Sequence, residues 1–84
     1  MRLDKFLKVS RIIKRRTVAN EACSAGRVSI NDKVAKPSTD VKEGDIISIR
    51  FGERLFTAEI IDVREYATKQ NADDMYRIIS GEQF

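Results

Sequence analysis

The chain contains no histidine and a single cysteine, and these two shortages remove much of the chemistry open to a small protein. Zinc sites built from histidine and cysteine lack their ligands, and every histidine-based catalytic arrangement lacks its base. Cys23 has no partner for an internal disulfide, and its place in an alanine-rich segment suits a small buried hydrophobe in a reducing compartment. No run approaches the roughly 20 apolar residues that span a bilayer. No charged-then-apolar leader opens the chain, so the expected location is cytoplasmic. No nucleophile sits with a neighbouring base, so neither an enzyme nor a cofactor is expected. Aromatic residues are also scarce where they would count: Phe6 is the only one in the first 36 positions, and it falls on an apolar helix face. That leaves no platform on which unpaired bases would stack.

What the chain does have is segregated charge. With 84 residues and 42% hydrophobic content it can build one small core. The net charge of +3 is modest as an average. Residues 1–36 nevertheless hold ten cations against three anions (+7), whereas residues 37–84 hold six against ten (−4). Such a division is costly in self-repulsion unless a polyanion faces the basic half.

Periodicity orders the elements. Leu3, Phe6 and Leu7 recur at helical spacing opposite Arg2, Asp4, Lys5 and Lys8, which predicts a short amphipathic helix from Arg2 to about Ser10. Lys14, Arg15 and Arg16 lead to Thr17, expected to be the N-cap of a second helix, with Asn20 where a full capping box would place Glu or Gln. Gly26 ends that helix. Arg27 to Ile30 then alternates as a strand, Asn31 and Asp32 turn the chain toward Val34, and Pro37 to Thr39 forms a polar loop. Ile46 to Phe51 reads as a strand joined through Gly52 and Glu53 to a further strand over Leu55 to Val63. Met75 to Ile79 fits either a last strand or a helical turn. The expected class is α+β: two short N-terminal helices packed on a small antiparallel β-sheet. The chain forms one domain, with residues 1–63 as the core and 64–84 as a C-terminal extension.

Arg2-Leu3-Asp4 with Leu7, Arg16-Thr17 with Ala19, Ala25 through Asn31, Lys36-Pro37-Ser38 and Val41 through Gly44-Asp45-Ile46 appear in an order and spacing that resembles the S-four RNA-binding module and its αL-type motif. The likeness covers roughly the first three fifths of the chain. Asp32 departs from it, standing where the family often has glycine. The opening Met1 to Lys8 and the run from Ile13 to Thr17 are most similar to the branch of that family serving ribosome-associated quality control. That resemblance implies contact with the rRNA of a stalled large ribosomal subunit, with peptidyl-tRNA and with the tailing factor RqcH, in support of template-free C-terminal alanine tailing. With the composition giving no expectation of a metal or a membrane, the protein is expected to be a monomer.

The residues make a physical case beside the resemblance. Guanidinium groups offer several planar donors to phosphate oxygens, and a loop entering a helix N-terminus adds free amides and a favourable dipole. Arg15, Arg16 and Thr17 occupy such a place, and helix packing would bring Arg2 and Lys5 beside them. The candidate RNA-binding set is Arg2, Lys5, Arg11, Lys14, Arg15, Arg16, Thr17, Arg27, Lys33 and Lys36. Asp4 is expected to orient a basic neighbour. Without stacking aromatics, recognition should favour folded RNA by shape and backbone. Two other readings use the same residues: a heat-shock or assembly factor on free large subunits, and a protein-interaction module in which the basic face only solubilises.

Overall fold

Leu3, Phe6 and Leu7 are fully buried in helix α1 (Leu3–Val9) of the computed structural model, which describes residues 1–68 and 70–81. No side chain caps this helix. Its first amides are satisfied instead by a distant loop: Leu3 donates to the Thr39 carbonyl at 2.8 Å and Asp4 to the Pro37 carbonyl at 3.2 Å. The polar 37–39 loop therefore works as the helix cap, supplying acceptors that α1 would otherwise draw from water. Asp4 in the first turn and Lys8 in the last lie as the helix dipole favours.

The second helix, α2 (Arg16–Ser24), starts earlier than the sequence suggests. Its N-cap is Arg15, in extended conformation and without a side-chain cap, so Thr17 is an exposed residue of the first turn and not the cap. Extending the helix to Arg16 swings that guanidinium over α1 and leaves Ala19, Ala22 and Cys23 buried against it. At the other end Gly26 (φ +76) adopts the left-handed conformation. Its amide bonds to the Cys23 carbonyl and that of Arg27 to the Ala22 carbonyl, both at 3.0 Å. This paired closure requires the backbone freedom of glycine.

Five antiparallel strands follow, β1 (Val28–Ile30), β2 (Lys33–Val34), β3 (Ile46–Phe51), β4 (Arg54–Ile60) and β5 (Tyr76–Ser80), in spatial order β2-β1-β3-β4-β5. Asn31 and Asp32, at φ +51 and +69, form the two-residue β1–β2 turn; Asp32 takes up a conformation glycine would adopt more readily. The Asn31 side chain donates through Nδ2 to Asp45 Oδ1 at 3.1 Å and accepts at Oδ1 from the Ile46 backbone amide at 2.9 Å, which ties this turn to the start of β3. Gly52 and Glu53 close the β3–β4 hairpin as expected, with Phe51 opposite Arg54. The strand expected to run to Val63 stops at Ile60, because the Ile61 and Asp62 amides both turn to the Met75 carbonyl, at 2.8 and 3.2 Å.

Val28, Ile47, Ile49, Phe56, Ala58 and Ile60 line the inner sheet face against Leu3, Phe6, Leu7 and Ile12. Of the expected extension over 64–84, position 69 and positions 82–84 lie outside the described residues. The segment left open resolves into both alternatives, a 3-10 turn (Ala72–Met75) followed by β5. Met75 is buried, and Tyr76 meets Phe56 edge to face at 6.4 Å. The outer face carries a row of small hydroxyl residues in register across four strands, Ser29, Ser48, Thr57 and Ser80.

Candidate nucleic-acid interface

A buried carboxylate organises the helical side of the molecule. Asp4 is 2% exposed and accepts from Arg2 through Nε and Nη2, each at 3.2 Å. Arg16 Nη2 lies 3.5 Å from the same carboxylate, Asn20 Nδ2 donates at 3.4 Å and the Lys5 amide at 2.8 Å. Burial alone would push this carboxyl up, but hydrogen bonds from Arg2, Asn20 and the Lys5 amide, together with the Arg16 charge, outweigh it and hold Asp4 below the usual range. Asp4 is therefore ionised at neutral pH and fixes two guanidinium groups side by side. About half of each arginine side chain, 52% for Arg2 and 48% for Arg16, stays exposed. The cluster of two cations on one anion keeps a net positive charge and outward donors.

The other candidate residues distribute around this centre unevenly. Lys36 shares with Arg2 and Asn20 an open groove of about 570 Å³ that runs past Gly26 and Pro37. Lys14 and Arg15 rim a different groove, about 330 Å³, with the apolar residues Ile12, Ile13, Val18 and Phe51 for its floor. Arg27 faces a third, of about 550 Å³, on the outer side of the sheet. Arg11 leaves α1 in the left-handed conformation at φ +63, and Lys33 stands exposed on the edge strand β2. Lys5 is turned from the cluster toward Glu65, whose carboxyl it hydrogen-bonds and holds below the usual range. Burial, reinforced by the Asp4 charge, pushes the Cys23 thiol up to about 11, so it stays protonated.

Two residues of these surfaces escape a reading of the sequence. Asn20 has a local signal, since it lies one helical turn beyond Arg16. Arg50 sits in the acidic half of the chain, and only the pairing of β3 with β1 brings it beside Arg27, whose carbonyl accepts from the Arg50 amide at 2.9 Å. Among the described residues no group of acids and thiols could hold a metal ion, and no helix is long and apolar enough to cross a membrane.

Comparison with known proteins bears on this geometry. The S4 domain family matches residues 1–47. The chain is 56% identical to the RQC P-site tRNA stabilizing factor of Halalkalibacterium halodurans, covering 93% of this chain and 89% of that protein. It is 54% identical to the factor of the same name from Listeria monocytogenes, over 99% and 90%. Among solved structures, Vibrio cholerae Heat Shock Protein 15 superposes with a TM-score of 0.86 at 32% identity, covering 95% of this chain and 82% of the other.

Proposed function

The chain belongs to the S4 domain family, among the RQC P-site tRNA stabilizing factors, and on that premise we propose that it is a non-catalytic RNA-binding factor of ribosome-associated quality control. It binds rRNA and the P-site tRNA on a stalled large subunit and supports RqcH-dependent alanine tailing. The observation that carries this reading is the pair Arg2 and Arg16 held on buried Asp4. A flexible arginine loses conformational entropy when it grips a phosphate, and a carboxylate that fixes it beforehand reduces that loss. The pair presents donors at a set separation, which suits a folded RNA backbone better than an arbitrary acidic surface.

Around this centre, Lys36 extends the surface along its groove, while Arg11, Lys14, Arg15 and Thr17 offer contacts at the entry to α2 and Arg27 and Lys33 do so near the first hairpin. Lys5 contributes where a phosphate displaces Glu65. Residues 1–63 act as the RNA-binding core, and the protein works as a cytoplasmic monomer.

Titration of purified large subunits and tRNA tests the reading. An Arg15→Ala, Arg16→Ala variant should bind at least tenfold more weakly, with a shallower dependence on salt. Equal binding by wild type and variant would remove the RNA-binding role. A second reading, a heat-shock factor acting on free large subunits, draws on the likeness to Heat Shock Protein 15. Loss of alanine tails in a deletion strain, with ribosome recovery of the protein dependent on RqcH, favours the first; recovery indifferent to RqcH favours the second.

A further inference from the structure

We propose that the outer face of the sheet carries a second RNA-backbone site, in which Arg27 and Arg50 grip a phosphodiester above a floor formed by Ser29 and Ser48. The proposal rests on the RNA-binding reading but uses a surface separate from the Asp4 cluster. Its first support is electrostatic. Arg27 and Arg50 stand opposite each other where β1 begins and β3 ends, and like charges so placed across a strand pair are destabilising. Among the described residues neither forms an ion pair, although Asp32 lines the same groove. An arrangement that costs stability in the free protein is relieved when an anion lies between the two guanidinium groups.

The second support is shape. Ser29 and Ser48 are cross-strand partners on the outer face, both lining this groove of about 550 Å³. Their side chains are small enough for a sugar-phosphate chain to approach the sheet, and their hydroxyls can donate to phosphate oxygens or accept from a ribose 2′-hydroxyl. The third support is continuity. Gly26 and Val34 line both this groove and the one holding Arg2 and Lys36, so the two surfaces meet along a shared edge. A single RNA strand passing over Gly26 reaches both. Asp32 at the rim opposes an anion and moderates the affinity.

The test compares variants on two probes, purified large subunits and deproteinised large-subunit RNA, across a range of salt. Arg27→Ala, Arg50→Ala should weaken binding to both by about tenfold at low salt and reduce the log-log salt slope by about 1, the one phosphate that the two arginines share. Asp32→Asn should tighten binding two- to threefold, on the order of one weak surface charge contact. Arg27→Lys, Arg50→Lys keeps the charge and should keep the slope, which separates lost contacts from a damaged fold. If the sheet variant binds as wild type while Arg15→Ala, Arg16→Ala loses affinity, the second site is overturned and the proposed function stands. If neither loses affinity, both fall. Weakened binding to subunits with unchanged binding to deproteinised RNA would assign the groove to an acidic segment of a ribosomal protein and overturn the proposal as well.

Discussion

The two arginine pairs of this protein are built on opposite principles. Arg2 and Arg16 converge on a carboxylate buried beneath them, so their positions are fixed before any ligand arrives. Arg27 and Arg50 face one another across a strand pair with no bonded acid among the described residues. The first pair belongs to the fold: removing it strands a buried charge. The second is borne by the fold: removing it relieves a repulsion. Similar side chains thus have opposite effects on stability, and that sign separates a prearranged binding centre from one completed by its ligand.

The largest expected effect follows from that sign. Arg2→Ala with Arg16→Ala leaves the Asp4 carboxylate with only Asn20 and the Lys5 amide as donors. Breaking a fully buried pair costs about 3–5 kcal/mol; with the arginines half exposed the loss should be about 2–3 kcal/mol, read from urea unfolding at neutral pH. Arg27→Ala with Arg50→Ala should leave stability within about 0.5 kcal/mol of wild type, or raise it. Equal losses in the two variants would erase the distinction.

Acid provides the next test. The folded Asp4 carboxyl titrates below its unfolded range, so its contribution is fully present above that range and is lost as pH falls on through the depressed folded value. The wild-type melting temperature should fall more steeply between pH 5 and pH 2.5 than that of Asp4→Asn. Parallel slopes would mean that the buried carboxylate is not what anchors the helical pair.

How far this contrast could be read from the sequence depends on the range of the interactions involved. Helical spacing exposed α1, Gly26 closes α2 as its backbone freedom suggests, and the Asn31 and Gly52 turns carry their own local chemistry. Arg2 with Asp4 is likewise a local pair. The surroundings of Lys5 leave no local trace, because Glu65 lies sixty positions away and reaches it only through the tertiary fold. Arg50 is hidden for the same reason: its charge is evident, but its neighbour Arg27 is set by strand register, which no nearby residue announces. The start of α2 differs from the expected one because Thr17 has a strong intrinsic preference for caps. The tertiary contact of Arg16 with Asp4 extends the helix past that preference.

A smaller effect sharpens the sheet side. Arg50→Glu converts a repulsive cross-strand pair into an attractive one opposite Arg27, and should raise stability by about 0.2–1 kcal/mol while weakening RNA binding further than Arg50→Ala does. Stability and affinity would then move in opposite directions through one substitution. A gain in stability with unchanged binding would leave the repulsion real and the site without a ligand.

The smallest effect concerns the boundary between the helical pair and its loop. A threonine N-cap replaced by alanine costs about 1 kcal/mol. Thr17 instead lies exposed within the first turn of α2, where its hydroxyl caps nothing, so Thr17→Ala should change stability by less than about 0.5 kcal/mol. Any loss of RNA affinity in that variant then reports on the surface and not on the helix. A cost near 1 kcal/mol would move the helix start back to Val18 and take Arg16 off the turn that holds it over Asp4, and the prearranged pair would lose its structural basis.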